Sequence, residues 1–416
     1  MHTPLWLALA LLAPSPEPHA GPAPAIQRIE FEGNRVTREV VLLRELDLAP
    51  GDRADPERIE GGLQAIRDLG LFREVSAEQV EAPGGVVLRV RMREKRYLLV
   101  LPRVDVDDEL DYSYGVQLKR ANLFGLNHSI DLLADTGRYD ADRLRQREDR
   151  MRLTWDAPWL FGNYGLNTSV EQSDRLAPVE AGDYREEIRR VQVLVTRDFR
   201  DNRPRAGWVG GAGVFHRSQS TRGPDAPPDD GTANALVGWG RYDDVRFHNY
   251  SETGRSLDIR LELAHEGWLS DYGYRRVDAT HVERLAIGER EHQNLNFITS
   301  VGWMGGGPRR RDAFDLGGAS RLRGYDSDYI QGQRMAYAGV EYLRPVFGHD
   351  WWRLLAVAEV GATGGSVEDA RSGGPYASIA LGTRIRLPWF VNVELEFGVA
   401  QPLRGGDGPR FFLRGN

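Results

Sequence analysis

Residues 391–399, Val-Asn-Val-Glu-Leu-Glu-Phe-Gly-Val, put Val391, Val393, Leu395, Phe397 and Val399 on one face of an extended chain and Asn392, Glu394 and Glu396 on the other. The same period of two runs through 256–266, where Leu257, Ile259, Leu261 and Leu263 alternate with Asp258, Arg260 and Glu262. It recurs at 376–388, where Ile379, Leu381, Ile385 and Leu387 oppose Ser378, Arg384 and Arg386. Alternation of this kind specifies strands with one apolar face and one face in water. It constrains the fold more than any other feature of the chain.

After the N-terminus no stretch approaches the ~20 apolar residues of a membrane-spanning helix, and the mean hydropathy is -0.48. A helical membrane protein is excluded. A transmembrane barrel is not, because its strands need only ~10 residues with alternate side chains facing lipid. The pattern predicts sixteen strands, beginning near Leu98, Tyr112, Ser129, Arg150, Tyr164, Ile188, Trp208, Ala233, Arg255, Arg275, Asn294, Met335, Trp352, Pro375, Val391 and Arg410. An even count brings both ends of the strand region to one side of the membrane. The connections agree: those at 122–127, 157–163, 200–207, 249–254 and 344–350 are short, while 219–232 and 305–333 fall on the opposite side and are long. A soluble β-sandwich would share the alternation. It would not explain the aromatic residues Trp155, Trp159, Phe161, Trp239, Trp268, Trp303, Trp351, Trp352 and Trp389 placed near strand ends, where membrane girdles sit.

Leu5 to Ala13 form a nine-residue apolar run, too short to span a bilayer and followed by Pro14, Pro16 and Pro18, as in a secretory signal peptide. Cleavage is expected after Ala20 or Ala25. The chain has no cysteine, which removes disulfides and thiol chemistry. Its net charge of -7 argues against a nucleic-acid partner. The nine histidines are scattered, no Gly-x-Ser-x-Gly elbow occurs, and Asp105, Asp107, Asp108 and Glu109 read as a solvated loop. No enzymatic activity, metal or cofactor is expected.

Residues 26–96 follow a different pattern. Ile29 and Phe31 mark a strand closed by Gly33-Asn34, and Thr37 is expected to cap a helix carrying Val40, Val41, Leu43 and Leu46. Asp55-Pro56 opens a second helix with Ile59, Leu63, Ile66 and Leu69 buried, and Gly70 ends it. Two strands, 72–82 and 85–94, complete a β-α-α-β-β unit that resembles a POTRA domain. Such domains are periplasmic, and their free sheet edge can accept an extended client segment.

The stretch 317–347, Gly-Gly-Ala-Ser-Arg-Leu-Arg-Gly-Tyr through Arg344-Pro-Val-Phe347, resembles the signature of the BamA/TamA superfamily of outer-membrane barrels, the bacterial surface antigen family. Further matches lie at 121–132, 153–162, 196–207 and 382–403, so the resemblance covers nearly all of 26–416. It implies an α+β POTRA domain at 26–96 followed by an all-β sixteen-stranded antiparallel transmembrane barrel at 97–416, in the bacterial outer membrane. It also implies that a sixth surface loop, 305–334, folds into the lumen and places Arg323, Gly324 and Tyr325 on the wall. A buried guanidinium needs a carboxylate, and the matching position on the thirteenth strand is Glu359. This departs from the family's Asp, and Val357 stands where the family has an aromatic. Arg353, on the same face, is expected to compete with Arg323 for Glu359. Gly317 and Gly318 permit the bend. Asp198 and Asp201 are expected to fix the third short turn with Arg197 and Arg203, together with Pro204 and Gly207.

The final strand stops at Asn416 without the terminal aromatic common in such barrels. The seam formed by Leu98, Leu99, Phe411, Phe412 and Leu413 is therefore an expected place for sideways opening. Two roles of the loop stay open at this point, a plug and a switch. The function implied is assembly or translocation of polypeptides at the outer membrane without ATP. Its partners would be outer-membrane lipid, unfolded or extended clients and periplasmic accessory proteins. The alternatives are a passive or gated pore, and a two-partner secretion transporter, although the latter usually carries two POTRA units and a plug helix.

Overall fold

The computed structural model describes residues 23–106, 112–141, 144–179, 182–223, 226, 230–309, 312–327, 329–365, 371–406 and 408–415. The signal-peptide segment and most of the Asp105–Glu109 cluster lie outside the described residues.

The N-terminal unit runs β1 (Ile26–Glu32), α1 (Glu39–Leu46), α2 (Pro56–Asp68), β2 (Phe72–Ala82) and β3 (Gly85–Glu94). Its sheet has the order β1-β3-β2, with β1 parallel and β2 antiparallel to the central β3. Ile26, Leu42, Leu46, Ile59, Leu63, Ile66, Phe72, Leu88 and Val90 form its core. Asp55 caps α2 by accepting a hydrogen bond from the Glu57 amide, with proline in the first turn, as expected. Thr37 does not cap α1. Arg38 holds the N-cap position with no side-chain bond, while the Thr37 hydroxyl bonds to Glu94 and meets the Tyr97 hydroxyl and Asn122. A tertiary network has outcompeted the local cap. The unit also starts earlier than the sequence suggests, because Pro24 accepts from Ala54 N and Ala25 bridges Arg53.

Sixteen long strands follow: β4 (Leu98–Val106), β5 (Tyr112–Leu123), β6 (His128–Ala141), β7 (Leu144–Phe161), β8 (Tyr164–Val179), β9 (Gly182–Asp198), β10 (Gly207–Arg222), β11 (Gly231–His248), β12 (Ser251–Ala264), β13 (Tyr274–Ala286), β14 (Asn294–Gly306), β17 (Arg334–Val346), β18 (His349–Gly364), β19 (Gly373–Arg386), β20 (Glu394–Pro402) and β21 (Arg410–Gly415). They hydrogen-bond in chain order, each antiparallel to its neighbours, from β4 to β21. Between β14 and β17 the loop carries a short hairpin, β15 (Phe314–Leu316) with β16 (Ile330–Gly332). The loop proper spans 307–333, since Gly305, Gly306 and Arg334 still belong to strands.

Alternation decides which way each side chain points. On β17, Met335, Tyr337, Gly339, Glu341 and Leu343 turn inward, and on β18 Arg353, Leu355, Val357, Glu359 and Gly361 do the same. Leu354, Val360, Ile379, Leu381, Val399, Phe411 and Leu413 are exposed on the lipid side. Val391 is not in a strand: β20 starts at Glu394, Asn392 adopts positive φ, and Val391 packs against the N-terminal core. Trp239 shares the inward face of β11 with the buried Ala233, Ala235 and Val237, away from the lipid girdle.

Candidate functional site

Arg323 is carried into the lumen by the loop, and its side chain is 0% exposed. Its guanidinium lies 2.7 Å from Glu341, 3.0 Å from Glu359 and 3.0 Å from Glu396. These carboxylates stand on β17, β18 and β20, so one fork ties the loop to three wall strands. The Arg323 amide also donates to Glu359 Oε1. Glu359 further accepts from the Tyr337 hydroxyl at 2.9 Å and the Ser378 hydroxyl at 2.8 Å. Arg384, on β19, completes the cluster at 2.8 Å from Glu341 and 2.6 Å from Glu396. Two guanidinium groups and three carboxylates thus share one buried site.

Arg353 does not compete for Glu359. The two residues share a face but are six positions apart, roughly 20 Å along the strand. Arg353 instead lies 3.5 Å from Glu394 and donates to Asn294 Oδ1. It belongs to a second tier nearer the periplasmic end, where Arg386 pairs with Glu394 at 2.6 Å and with Glu252 at 2.8 Å. Sequence reasoning missed Glu341, Arg384 and Glu396 as partners of Arg323. Alternation did put Arg384 and Glu396 on polar faces, but convergence on one point depends on register across several strands.

Gly324 passes the wall so closely that a Cβ there would lie 2.7 Å from Pro402 N and 2.8 Å from Ser378 Cβ. The Tyr325 hydroxyl sits 2.9 Å from the carbonyls of Ala377 and Arg404, and its ring packs against Tyr329 and Tyr376. At its base the loop is held by Asp312, which pairs with the buried Arg217 on β10 and whose carbonyl accepts from Arg276 on β13. The loop therefore crosses the lumen from β10 and β13 to β17–β20. Below it lies a cavity of about 600 Å³ lined by Glu252, Arg284, Glu341, Arg384, Arg386 and Glu394 among others. Of the expected seam residues, Leu98, Phe411 and Leu413 face lipid, and Leu99 and Phe412 face inward. Phe412 lies 5.7 Å under the Arg323 guanidinium. The β20–β21 ladder contains six residue pairs against thirteen between β10 and β11.

The third turn does more than hold itself. Asp198 binds Arg200 at 2.9 Å and lies 3.7 Å from Arg205, not beside Arg197 or Arg203 as expected. Arg197 instead lies over the Tyr164 and Phe199 rings. The Asp201 carbonyl accepts from Arg203, Pro204 follows it, and Gly207 opens β10 at φ 131°. Arg203 reaches out of the turn and donates to the carbonyls of Glu45 at 2.9 Å and Arg44 at 2.7 Å, the C-terminal end of α1. Cations are favoured there by the free carbonyls and the helix dipole. Arg205 pairs with the buried Glu45 carboxylate, and Trp159 stacks against both Arg44 and Arg205.

A second clasp joins α2 to the turn between β11 and β12. Asp68 accepts from the Phe247 amide at 2.9 Å, and Gln64 donates to its carbonyl. The Phe247 ring lies 4.4 Å from Lys95 Nζ and 5.2 Å from the Arg386 guanidinium. Burial, reinforced by Arg386 and Arg73, pushes the Lys95 ammonium down to about 7. These two clasps fasten the N-terminal unit to the rim, and further contacts come from the first turn, where Asn122 donates to the Thr37 hydroxyl, and from Val391 packed against its core.

Residues 24–95 match the POTRA family, described as surface antigen variable number repeat. Over 71 residues, 17% of this chain, the sequence is 32% identical to an outer membrane protein assembly factor BamA of Neorickettsia risticii (strain Illinois), and that stretch is 10% of the relative's length. Among solved structures, BamA from Haemophilus ducreyi lacking POTRA domains 1-3 is similar at 14% identity and a TM-score of 0.57, over 95% of this chain and 85% of that one. CdiB from Escherichia coli is similar at 16% identity and a TM-score of 0.68, over 94% and 76%. CdiB from Acinetobacter baumannii gives 13%, 0.63, 94% and 73%. Residues 24–95 are thus a POTRA unit, and the sixteen antiparallel strands that follow share the fold of the BamA and CdiB structures.

Proposed function

We propose that the chain is an outer-membrane protein insertion or secretion factor that handles extended polypeptides without ATP. The observation that carries this reading is the loop held across the lumen by a fully buried Arg323, beside a POTRA unit clasped to the periplasmic rim. A client delivered to the periplasmic side meets a seated loop. It must displace the loop or pair with the edge of β4 or β21, the two end strands of the sixteen-stranded sheet. The edges of β1 and β2 in the POTRA sheet offer a sequence-tolerant backbone template on the way. The energy comes from strand pairing and burial of the client's apolar face in lipid.

Depletion of the protein followed by outer-membrane proteomics tests the reading. Selective loss of particular barrels or of particular exported proteins is the expected result, and tells insertion from secretion. An unchanged outer-membrane and exported proteome would overturn it. The polar cavity of about 600 Å³ beneath the loop favours a gated pore as the second reading. High conductance on loop release, together with that unchanged proteome, would favour the pore.

A further inference from the structure

Helix α1 leaves an apolar stripe uncovered. Val36 just before the helix, then Val40 and Leu43, are 42%, 60% and 41% exposed. Val40 and Leu43, three apart, share one side of the helix, while Val41, Leu42, Glu45 and Leu46 are buried on the other. The helix runs along the barrel rim. Its N-terminal end meets the first turn, where the Arg38 amide donates to the Gly125 carbonyl. Its C-terminal end meets the third turn through Arg203 and Arg205, and Trp159 of the second turn stacks on Arg44 between them.

The same turns display Phe124, 66% exposed, and Phe161, 75% exposed. Tyr164, Phe199 and Trp208 continue this aromatic band at the periplasmic ends of the neighbouring strands, below the lipid-facing Leu153, Val170, Val193 and Val195. The α1 stripe is thus continuous with a surface that already faces lipid. The exposed Arg35 and Arg38 flank it with positive charge.

We propose that α1 is a membrane-interface helix: Val36, Val40 and Leu43, together with Phe124 and Phe161, sit in the phospholipid of the periplasmic leaflet, and Arg35 and Arg38 meet its anionic headgroups. This goes beyond the proposed function, because it gives the POTRA unit a lipid contact of its own. The unit is then held by the membrane as well as by the two clasps, and its orientation depends on leaflet composition.

The absence of cysteine makes the test direct. Full-length V40C and L43C are labelled with an environment-sensitive fluorophore and reconstituted in vesicles of phosphatidylethanolamine and phosphatidylglycerol. E81C, exposed at the far end of β2, about 30 Å of strand from Phe72, is the reference. Heat-modifiable gel mobility checks barrel folding. Label at V40C and L43C is expected to be quenched several-fold more by nitroxide on shallow acyl carbons than at E81C, and several-fold less by aqueous iodide. Iodide quenching equal to that at E81C would overturn the proposal, as would quenching that follows protein density instead of lipid nitroxide, the sign of a second copy. Weaker lipid quenching is expected in purely zwitterionic vesicles, and equal quenching there would overturn the role given to the arginines.

Discussion

Arg323→Ala should release the loop tip while leaving the barrel folded. In the native site the Arg323 side chain is fully buried and faces three carboxylates at 2.7–3.0 Å. Its removal leaves Glu341, Glu359 and Glu396 with Arg384 as the one remaining guanidinium of the cluster. Breaking a buried ion pair by deleting one partner costs about 3–5 kcal/mol, mostly because the other charge stays buried. At about 1.4 kcal/mol per tenfold, the seated-to-released ratio of the tip should fall by roughly two to three and a half orders of magnitude. The Asp312–Arg217 pair at the loop base is untouched, so the tip should loosen and the base hold. Single-channel conductance in planar bilayers should rise, and hydrogen exchange over 314–332 should accelerate. Since the Arg323 side chain is fully buried, raising ionic strength should not reproduce the effect in the native protein. A folded, heat-modifiable R323A with native conductance and native exchange over 314–332 would refute the reasoning.

Gly324→Ala should unseat the same tip without touching a charge. The added Cβ would lie 2.7 Å from Pro402 N, and overpacking of this kind costs about 1–3 kcal/mol; exchange over 314–332 reports it. Arg353→Ala should leave conductance near native, because Arg353 serves Glu394 and Asn294 in the lower tier. A loop phenotype as large as that of R323A would contradict this assignment. Arg205→Ala leaves the buried Glu45 carboxylate with Arg44 alone, at 2.9 Å, and should weaken POTRA docking by about 1.5–3 kcal/mol, seen as faster exchange in α1 and broader POTRA–barrel distances by spin labelling. Lys95 carries the pH dependence. Its native pKa of about 7 lies below that of the unfolded chain, so the unfolded state binds more protons between about pH 7 and 10.5. Stability should therefore rise with pH across that window, by no more than about 5 kcal/mol, and level off below pH 7, where both states are protonated. Thermal unfolding at pH 7 and 9.5 measures the slope, and Lys95→Met should flatten it.

Strand existence was readable because the constraint is local. A barrel wall must alternate, so Leu98, Tyr112, Tyr164, Asn294 and Arg410 could each be named as a strand start, and each is one. Strand ends were harder: β7 begins at Leu144 and not near Arg150, because strands that rise beyond the membrane no longer need an apolar face. Val391 was misread for a related reason. It continues the alternation of β20, but its apolar side chain is used by the POTRA core against the turn.

Local pattern was enough for the fold class, the strand count, the loop motif and Glu359 as an acidic partner of Arg323. Period-two alternation and backbone hydrogen bonding in a membrane leave little else for such a chain to do. Only the tertiary structure decided which charges meet. Glu341, Arg384 and Glu396 lie 12 to 73 residues from Arg323 or from each other along the chain, and sheet register brings them together. The same holds for Arg203 and Arg205, which read as turn residues and prove to hold a helix some 160 positions away. Long-range ion pairs depend on where strands end and how a separate domain docks, and neither is written in any local pattern.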